Sequence, residues 1–245
     1  MNKKHQEKWK ELVETHWWPV ANHSIVKHFV HDYLGKKTAS EIFLLDVGCS
    51  NGKMMRYLSS FGKCIGMDLS FDAMLMCKEK SLLTAQADAT NLPFKKDRFD
   101  AVTLLDVAEH VEEEEKLFRG INRVTKKGGY IFIMVPAHMS LWGSHDVMYG
   151  HKRRYRTRHL KRLAENTGFK VEKITYLHPL LFPVMFMFRI FDRGRSKGFG
   201  QRDDFRDFGF VLNKIFEKTL ILDGCIARYV DYPFGTTLFS VWRKL

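Results

Sequence analysis

Apolar residues fall along this chain in short unbroken runs, most of them closed by an acidic residue and separated by stretches of mixed polarity. The run Ile42 to Val47 is continuous enough for a central parallel strand covered on both faces. It feeds the turn Gly48-Cys-Ser-Asn-Gly52, after which Lys53 to Ser60 reads as helix. A second run from Cys64 ends at Asp68, with Ser70 as the cap of the next helix, and Leu82 to Ala87 and Phe99 to Leu105 repeat the form. Four strands thus end in turn at Asp46, Asp68, Asp88 and Asp106, and in an open parallel sheet those carboxyl ends share one crevice. The alternation predicts an α/β fold.

The remaining pattern fills out the sheet. Residues 7–34 read as helices ahead of the first strand, with His16-Trp-Trp-Pro19 in their middle. Glu112 to Glu115 begins a helix, where acidic side chains favour the dipole. Residues 129–135 read as a fifth strand, 157–167 as a helix capped by Thr157, and 169–177 as a sixth strand; Thr236 to Lys244 alternates like a closing strand. This leaves 178–234 as a long excursion that opens on His178-Pro-Leu-Leu-Phe-Pro-Val-Met-Phe. Its prolines and Arg189 make that opening too short and broken to span a bilayer. Three readings stand for it: a helical cap on the sheet, peripheral contact of 178–197 with an anionic membrane, or a lid over an apolar acceptor.

The crevice residues suggest a ligand. Gly48 and Gly52 permit a tight turn and close approach of a ligand to the backbone, although a plain strand-to-helix turn would use them too. Asp46 can accept hydrogen bonds from a cationic group or fix the turn. Asp68, about 20 positions after the turn, is placed for two ribose hydroxyls. Asp88 and the backbone of Ala89 can meet an adenine amino group and ring nitrogen. A row of carboxylates suits a cationic ligand rich in hydroxyls and would repel a pyrophosphate.

Leu-Asp-Val-Gly-Cys-Ser-Asn-Gly, the acid Asp68, the loop Asp-Ala-Thr-Asn-Leu-Pro-Phe and the run Lys-Lys-Gly-Gly-Tyr-Ile-Phe-Ile together resemble the class I S-adenosylmethionine-dependent methyltransferases. The resemblance covers about residues 40–177 and returns at the last strand. It implies a Rossmann-like, doubly wound sheet of seven strands in the order 3-2-1-4-5-7-6, the last antiparallel. It further implies one domain over 1–245, made of a helical cap (1–40), a cofactor-binding core (41–177), a helical insertion or lid (178–234) and a final strand (235–245). The cofactor would be S-adenosyl-L-methionine, held by Asp46, Gly48, Cys49, Ser50, Gly52, Asp68, Leu69, Asp88, Ala89, Leu105, Asp106 and His110. One position departs from the family: Ser50 replaces the middle glycine of the turn, which is tolerated if its backbone keeps negative φ.

In related methyltransferases helices ahead of the first strand pack over the cofactor, which would put the tryptophans at the lid and Trp18 near the acceptor; ordinary core packing is the other reading and the one the aromatic pair favours. The loop after the fifth strand, with Trp-Gly-x-His-Asp and then Gly-His-x-Arg-Arg-Tyr, resembles a bacterial subgroup known as methyltransferase type 11 or 12. Its base candidates are His145, beside Asp146, and His151; Arg153, Arg154 and Tyr155 can hold an anionic group. Alternatively, Asp146 pairs with an arginine to order the loop. A metal site built on His145, Asp146 and His151 lacks a further ligand of fitting spacing, so no metal is expected.

Composition adds setting. At 245 residues and 45% apolar, the chain can bury one full α/β core. The cysteines at 49, 64, 77 and 225 show no paired spacing, and the lysine-rich start has no cleavable apolar leader, so a reducing cytoplasm is expected. The formal charge of +12 is concentrated in His151 to His159 and Arg193 to Arg206, runs that suit either a solvated face or contact with phosphate, nucleic acid or anionic lipid. Two functions follow: O-methylation of a small-molecule, lipid-linked or glycan acceptor, or methylation of RNA or another nucleic acid. An Asn/Asp-Pro-Pro-Tyr/Phe motif, common in enzymes that methylate nucleic-acid amines, is replaced here by Leu105-Asp-Val-Ala-Glu-His110. A binding protein that keeps the fold without turnover is the third class.

Overall fold

The computed structural model describes residues 16–35, 42–194 and 209–245. The expected helical stretch 7–15, the end of the cap (36–40) and the second basic run from residue 195 onward lie outside the described residues.

Five strands run parallel to one another: β1 (Phe43–Val47), β2 (Lys63–Asp68), β3 (Thr84–Gln86) at one edge, β4 (Phe99–Leu105) and β5 (Thr125–Pro136). Strand β6 (Phe169–Leu177) takes the opposite edge, and β7 (Thr237–Lys244) inserts antiparallel between β5 and β6. The sheet order is β3-β2-β1-β4-β5-β7-β6, as the resemblance implied.

The helices are α1 (Trp17–Leu34), α2 (Lys53–Leu58), α3 (Phe71–Glu79), α4 (Glu114–Val124), α5 (Ser144–Tyr149), α6 (Thr157–Asn166), α7 (Leu181–Gly194) and α8 (Phe210–Ala227). Two cores sandwich the sheet, because successive strand residues point to opposite faces. On one face Leu45, Val102, Leu104, Ile131 and Ile133 pack against Phe118 and Ile121 of α4 and Leu160 and Leu163 of α6. On the other, Leu44, Ala101, Phe132 and Phe239 pack against Ile25, Val26 and Phe29 of α1 and Ala227 of α8.

Several boundaries move. Strand β5 begins at Thr125, four residues before the expected start, and carries Gly128 at φ 74° within it. Strand β3 shrinks to three residues. Thr157 is the first residue of α6 and caps nothing; the N-cap is Arg156, without a side-chain bond. Ser70 does cap α3, its side chain accepting from the Ala73 amide.

The excursion after β6 supplies a layer of the second core. Helix α8 lies along α1, and a methyl group on Gly224 would come within 2.3 Å of Ile25 Cγ1, so the two backbones approach too closely for a side chain there. A buried polar chain ties the junction: the His178 amide donates to Asp223 Oδ2 at 2.7 Å, and its Nε2 meets Asn22 Oδ1 at 2.8 Å. No helix of the described residues is long and apolar enough to cross a membrane.

Candidate active site

The carboxyl ends of β1, β2 and β4 open onto a cavity of about 750 Å³. Its walls include Asp46, Gly48, Cys49, Ser50, Asp68, Leu69, Asp88, Ala89, Leu105, Asp106 and His110, and, from the other side, Trp18, Asn22 and Tyr149. Gly52 stands just behind that wall as the N-cap of α2, at φ 77°, where a Cβ would strike Leu82.

The turn after β1 is built by hydrogen bonds to its neighbours. The amides of Gly48 and Cys49 both donate to the Met67 carbonyl, at 2.7 and 2.9 Å, drawing the turn onto the end of β2. Gly48 has φ 78°, and a Cβ there would lie 2.3 Å from Val107 Cγ2. Ser50 corrects the sequence expectation: its φ is +48°, the left-handed region. The reason is a tertiary bond. Its amide donates to Asp68 Oδ2 at 2.9 Å, and the gain from a charge-assisted bond offsets the cost of that conformation.

Asp68 also accepts the Ser70 amide on Oδ1 at 2.9 Å, so one carboxylate fixes the turns after β1 and β2. Each oxygen keeps a lone pair for a further donor. Asp88 is fixed in the same manner by the Thr90 amide and hydroxyl at 2.7 and 2.8 Å, and these bonds lower its pKa.

Asp46 is almost fully buried. Its Oδ1 accepts from the Thr103 hydroxyl at 2.7 Å, while Oδ2 has no hydrogen-bond partner among the described residues. Burial pushes its pKa to about 7, with the nearby Asp68 charge adding to the rise and the Thr103 bond opposing it. An orphaned acceptor at a cavity wall is what a cationic ligand would satisfy. Asp106, at φ 52°, has its pKa raised to about 6 by the protein packed around it, against the influence of His151. The same crowding, with His151 beside it, lowers His110 to about 4.

The loop after β5 is ordered from beneath. Asp146, fully buried, receives Arg154 Nε and Nη2 at 2.8 and 2.9 Å, His151 Nδ1 at 2.8 Å and the Gly143 amide at 2.9 Å. Burial would raise its pKa, but these bonds hold it well below the usual carboxylate range. Tyr155 is buried as well, its hydroxyl donating to the Ala108 carbonyl or Glu114 at 3.1 Å. Arg153 pairs with Glu114 at 3.0 Å, and His159 meets the other oxygen of that carboxylate at 2.6 Å. The structure therefore does not bring Asp146, Arg153, Arg154 or Tyr155 to the cavity wall, because internal acids and carbonyls engage them.

His151 lies between the two groups, its ring 4.7 Å from His110, which lines the cavity, and 5.9 Å from His145. His145 packs at 4.4 Å on Tyr149, the residue through which this loop reaches the cavity. Sequence reading passed over Tyr149 and Asn22. An aromatic at the end of a six-residue helix, and an asparagine in the first turns of α1, carry no local mark of exposure to a ligand. Trp18 does line the cavity, its ring 4.9 Å from His178, whereas Trp17 packs into a small core with Ala21 and Leu220.

A family model described as a methyltransferase domain matches residues 45–133. A tRNA (carboxymethyluridine(34)-5-O)-methyltransferase of Arabidopsis thaliana is 36% identical over 99 residues, 38% of this chain and 24% of that protein. A ubiquinone biosynthesis O-methyltransferase of Pseudoalteromonas translucida is 24% identical over 188 residues, 66% of this chain and 80% of that protein. The chain spans 24%, 33% and 44% of the lengths of the first three curated relatives it matches. Among solved structures, phosphoethanolamine N-methyltransferase 2 of Haemonchus contortus, in complex with S-adenosyl-L-methionine, superposes with a TM-score of 0.60 at 19% identity, over 89% of this chain and 52% of that one. Residues 45–133 thus carry a methyltransferase domain, and the sheet order, glycine turn and row of carboxylates around it are those of the class I S-adenosylmethionine-dependent methyltransferase fold, whose cofactor is S-adenosyl-L-methionine.

Proposed function

We propose that this protein transfers the methyl group of S-adenosyl-L-methionine to an oxygen of a small-molecule, lipid-linked or glycan acceptor. The observation that carries the reading is one cavity lined both by the carboxylates Asp46, Asp68 and Asp88 and by Trp18, His110 and Tyr149. Asp68 is suited to the ribose hydroxyls, Asp88 and Ala89 to adenine, and the open oxygen of Asp46 to the cationic end of the cofactor. Cys49, Ser50, Leu69, Leu105, Asp106 and His110 line the same cavity and complete the cofactor set.

Methyl transfer is an in-line displacement at a carbon already activated by sulfonium, so alignment and proton removal are what the protein must add. Trp18 and Tyr149 supply apolar surface for the acceptor. We assign proton removal to His145 behind Tyr149, with Asp146 and His151 holding its segment in place. The reaction is set in the cytoplasm, at a membrane surface if the acceptor is lipid-linked.

An RNA acceptor is the second reading, favoured by the tRNA methyltransferase among the relatives. Against it, part of the densest basic run is engaged internally, Arg154 by Asp146 and Arg153 and His159 by Glu114, which leaves Lys152, Arg156 and Arg158 as its exposed cations. The test is transfer of labelled methyl to phenolic, lipid-linked and glycan hydroxyls and to RNA, with wild type and His145→Ala. Label in a hydroxyl acceptor, much reduced in the variant while cofactor binding persists, is expected. Label in RNA alone would establish the second reading, and equal turnover in the variant would remove His145 from the base role.

A further inference from the structure

Beside the cavity, Glu109, His110 and His151 each offer a ligand atom, and these atoms lie within 4.8 Å of one another. Glu109 is the unusual member. It has no solvent exposure, and among the described residues neither carboxylate oxygen reaches a donor of another residue. A buried carboxylate without donors is costly and calls for a cation or a proton. The proton is the answer of the protein alone, since burial and the neighbouring Asp106 charge raise the Glu109 pKa well above the ordinary range.

Both imidazoles are oriented as ligands commonly are. His151 Nδ1 is bound to the Asp146 carboxylate at 2.8 Å, a bond that fixes Nδ1 as the protonated nitrogen and leaves Nε2 with its lone pair. The His110 ring hydrogen-bonds the main chain of Tyr149, leaving its other nitrogen for a ligand. Asp146 is itself held by Arg154, so the outer partner of His151 cannot swing away.

We propose that Glu109, His110 and His151 form a binding site for one divalent cation of the zinc and cobalt class, with an open coordination position toward the cavity. Two imidazoles and one carboxylate suit such ions, and three protein ligands leave a position for water or another oxygen donor. The set differs from the His145, Asp146 and His151 combination considered from sequence, because Asp146 is occupied by Arg154 and Glu109 takes its place. His110 lines the cavity, so an acceptor oxygen is a fitting occupant of the open position. That use rests on the methyl-transfer reading; the cation site does not.

The test strips the full-length protein with a chelator and titrates Co²⁺, following ligand-field absorption and its displacement by Zn²⁺. Wild type should bind one Co²⁺ per chain. Glu109→Gln and His151→Ala should bind it roughly tenfold more weakly or worse, while still binding S-adenosylhomocysteine. Glu109→Gln replaces a buried carboxyl, held neutral by its proton in the protein alone, with an uncharged amide of the same shape, so it should fold where His151→Ala fails, and it should lose the rise in Tm that Zn²⁺ gives wild type. Absence of saturable Co²⁺ binding by wild type, or equal binding by folded Glu109→Gln, would overturn the site. Co²⁺ binding without S-adenosylhomocysteine binding would instead overturn the cofactor reading and leave the cation site standing.

Discussion

The Asp68 carboxylate accepts the Ser50 amide at 2.9 Å across two turns of the sheet edge. The same carboxylate binds Ser70, so Asp68 shapes the pocket before any ligand reaches it. We expect Asp68→Ala to lose cofactor binding by about 2 to 4 kcal/mol, and Asp68→Asn, which keeps one acceptor oxygen, to lose less. Titration of the two variants with S-adenosylhomocysteine checks the order.

Asp46 makes both stability and binding depend on pH. Its folded pKa of about 7 lies above the unfolded value of 3.8, so the folded protein holds the extra proton between them. That contribution to stability is complete below pH 3.8 and is lost as pH rises through 7, at a cost of about 4 kcal/mol. Asp46→Asn should flatten this slope and melt higher than wild type at pH 8. A cationic ligand favours the carboxylate, so binding near pH 6 should release a proton. Calorimetry in buffers of different ionisation enthalpy measures that release, and Asp46→Asn should abolish it.

Gly48→Ala places a methyl group against Val107 in a backbone at φ 78°. A loss of about 1 to 3 kcal/mol of stability is expected, with weaker cofactor binding. Pairing it with Val107→Ala should recover the steric part and leave the conformational part, as denaturant unfolding of the double variant would show.

Asp146→Asn leaves Arg154 buried beside a neutral partner. Breaking a buried ion pair by removing one side costs about 3 to 5 kcal/mol, so the midpoint of denaturant unfolding should fall well below that of wild type. An unchanged midpoint would remove Asp146 from its ordering role.

The strands were legible because each central one carries a dense apolar stretch, and β4 and β6 match their expected bounds residue for residue. Sheet order came from the family resemblance, since pairing between distant strands leaves little local trace. Ser50 was misjudged because intrinsic φ preference was outweighed by a bond to Asp68, 18 residues away. The loop after β5 showed its histidines, Asp146 and arginines in sequence, and the Asp146 to arginine pairing was one of the alternatives. What sequence could not decide was that Arg154 takes that carboxylate from below, or that Tyr149 reaches the cavity. Glu109 gave no sign of its complete burial beside His110. The position of α8 along α1 depends on the close approach at Gly224, which no hydrophobic period reveals.

Calorimetric titration of S-adenosylhomocysteine into wild type and Asp68→Ala tests the cofactor assignment most directly. The account predicts saturable one-to-one binding by wild type and its loss in the variant. No binding by a well-folded wild type, or equal binding by both proteins, would contradict it.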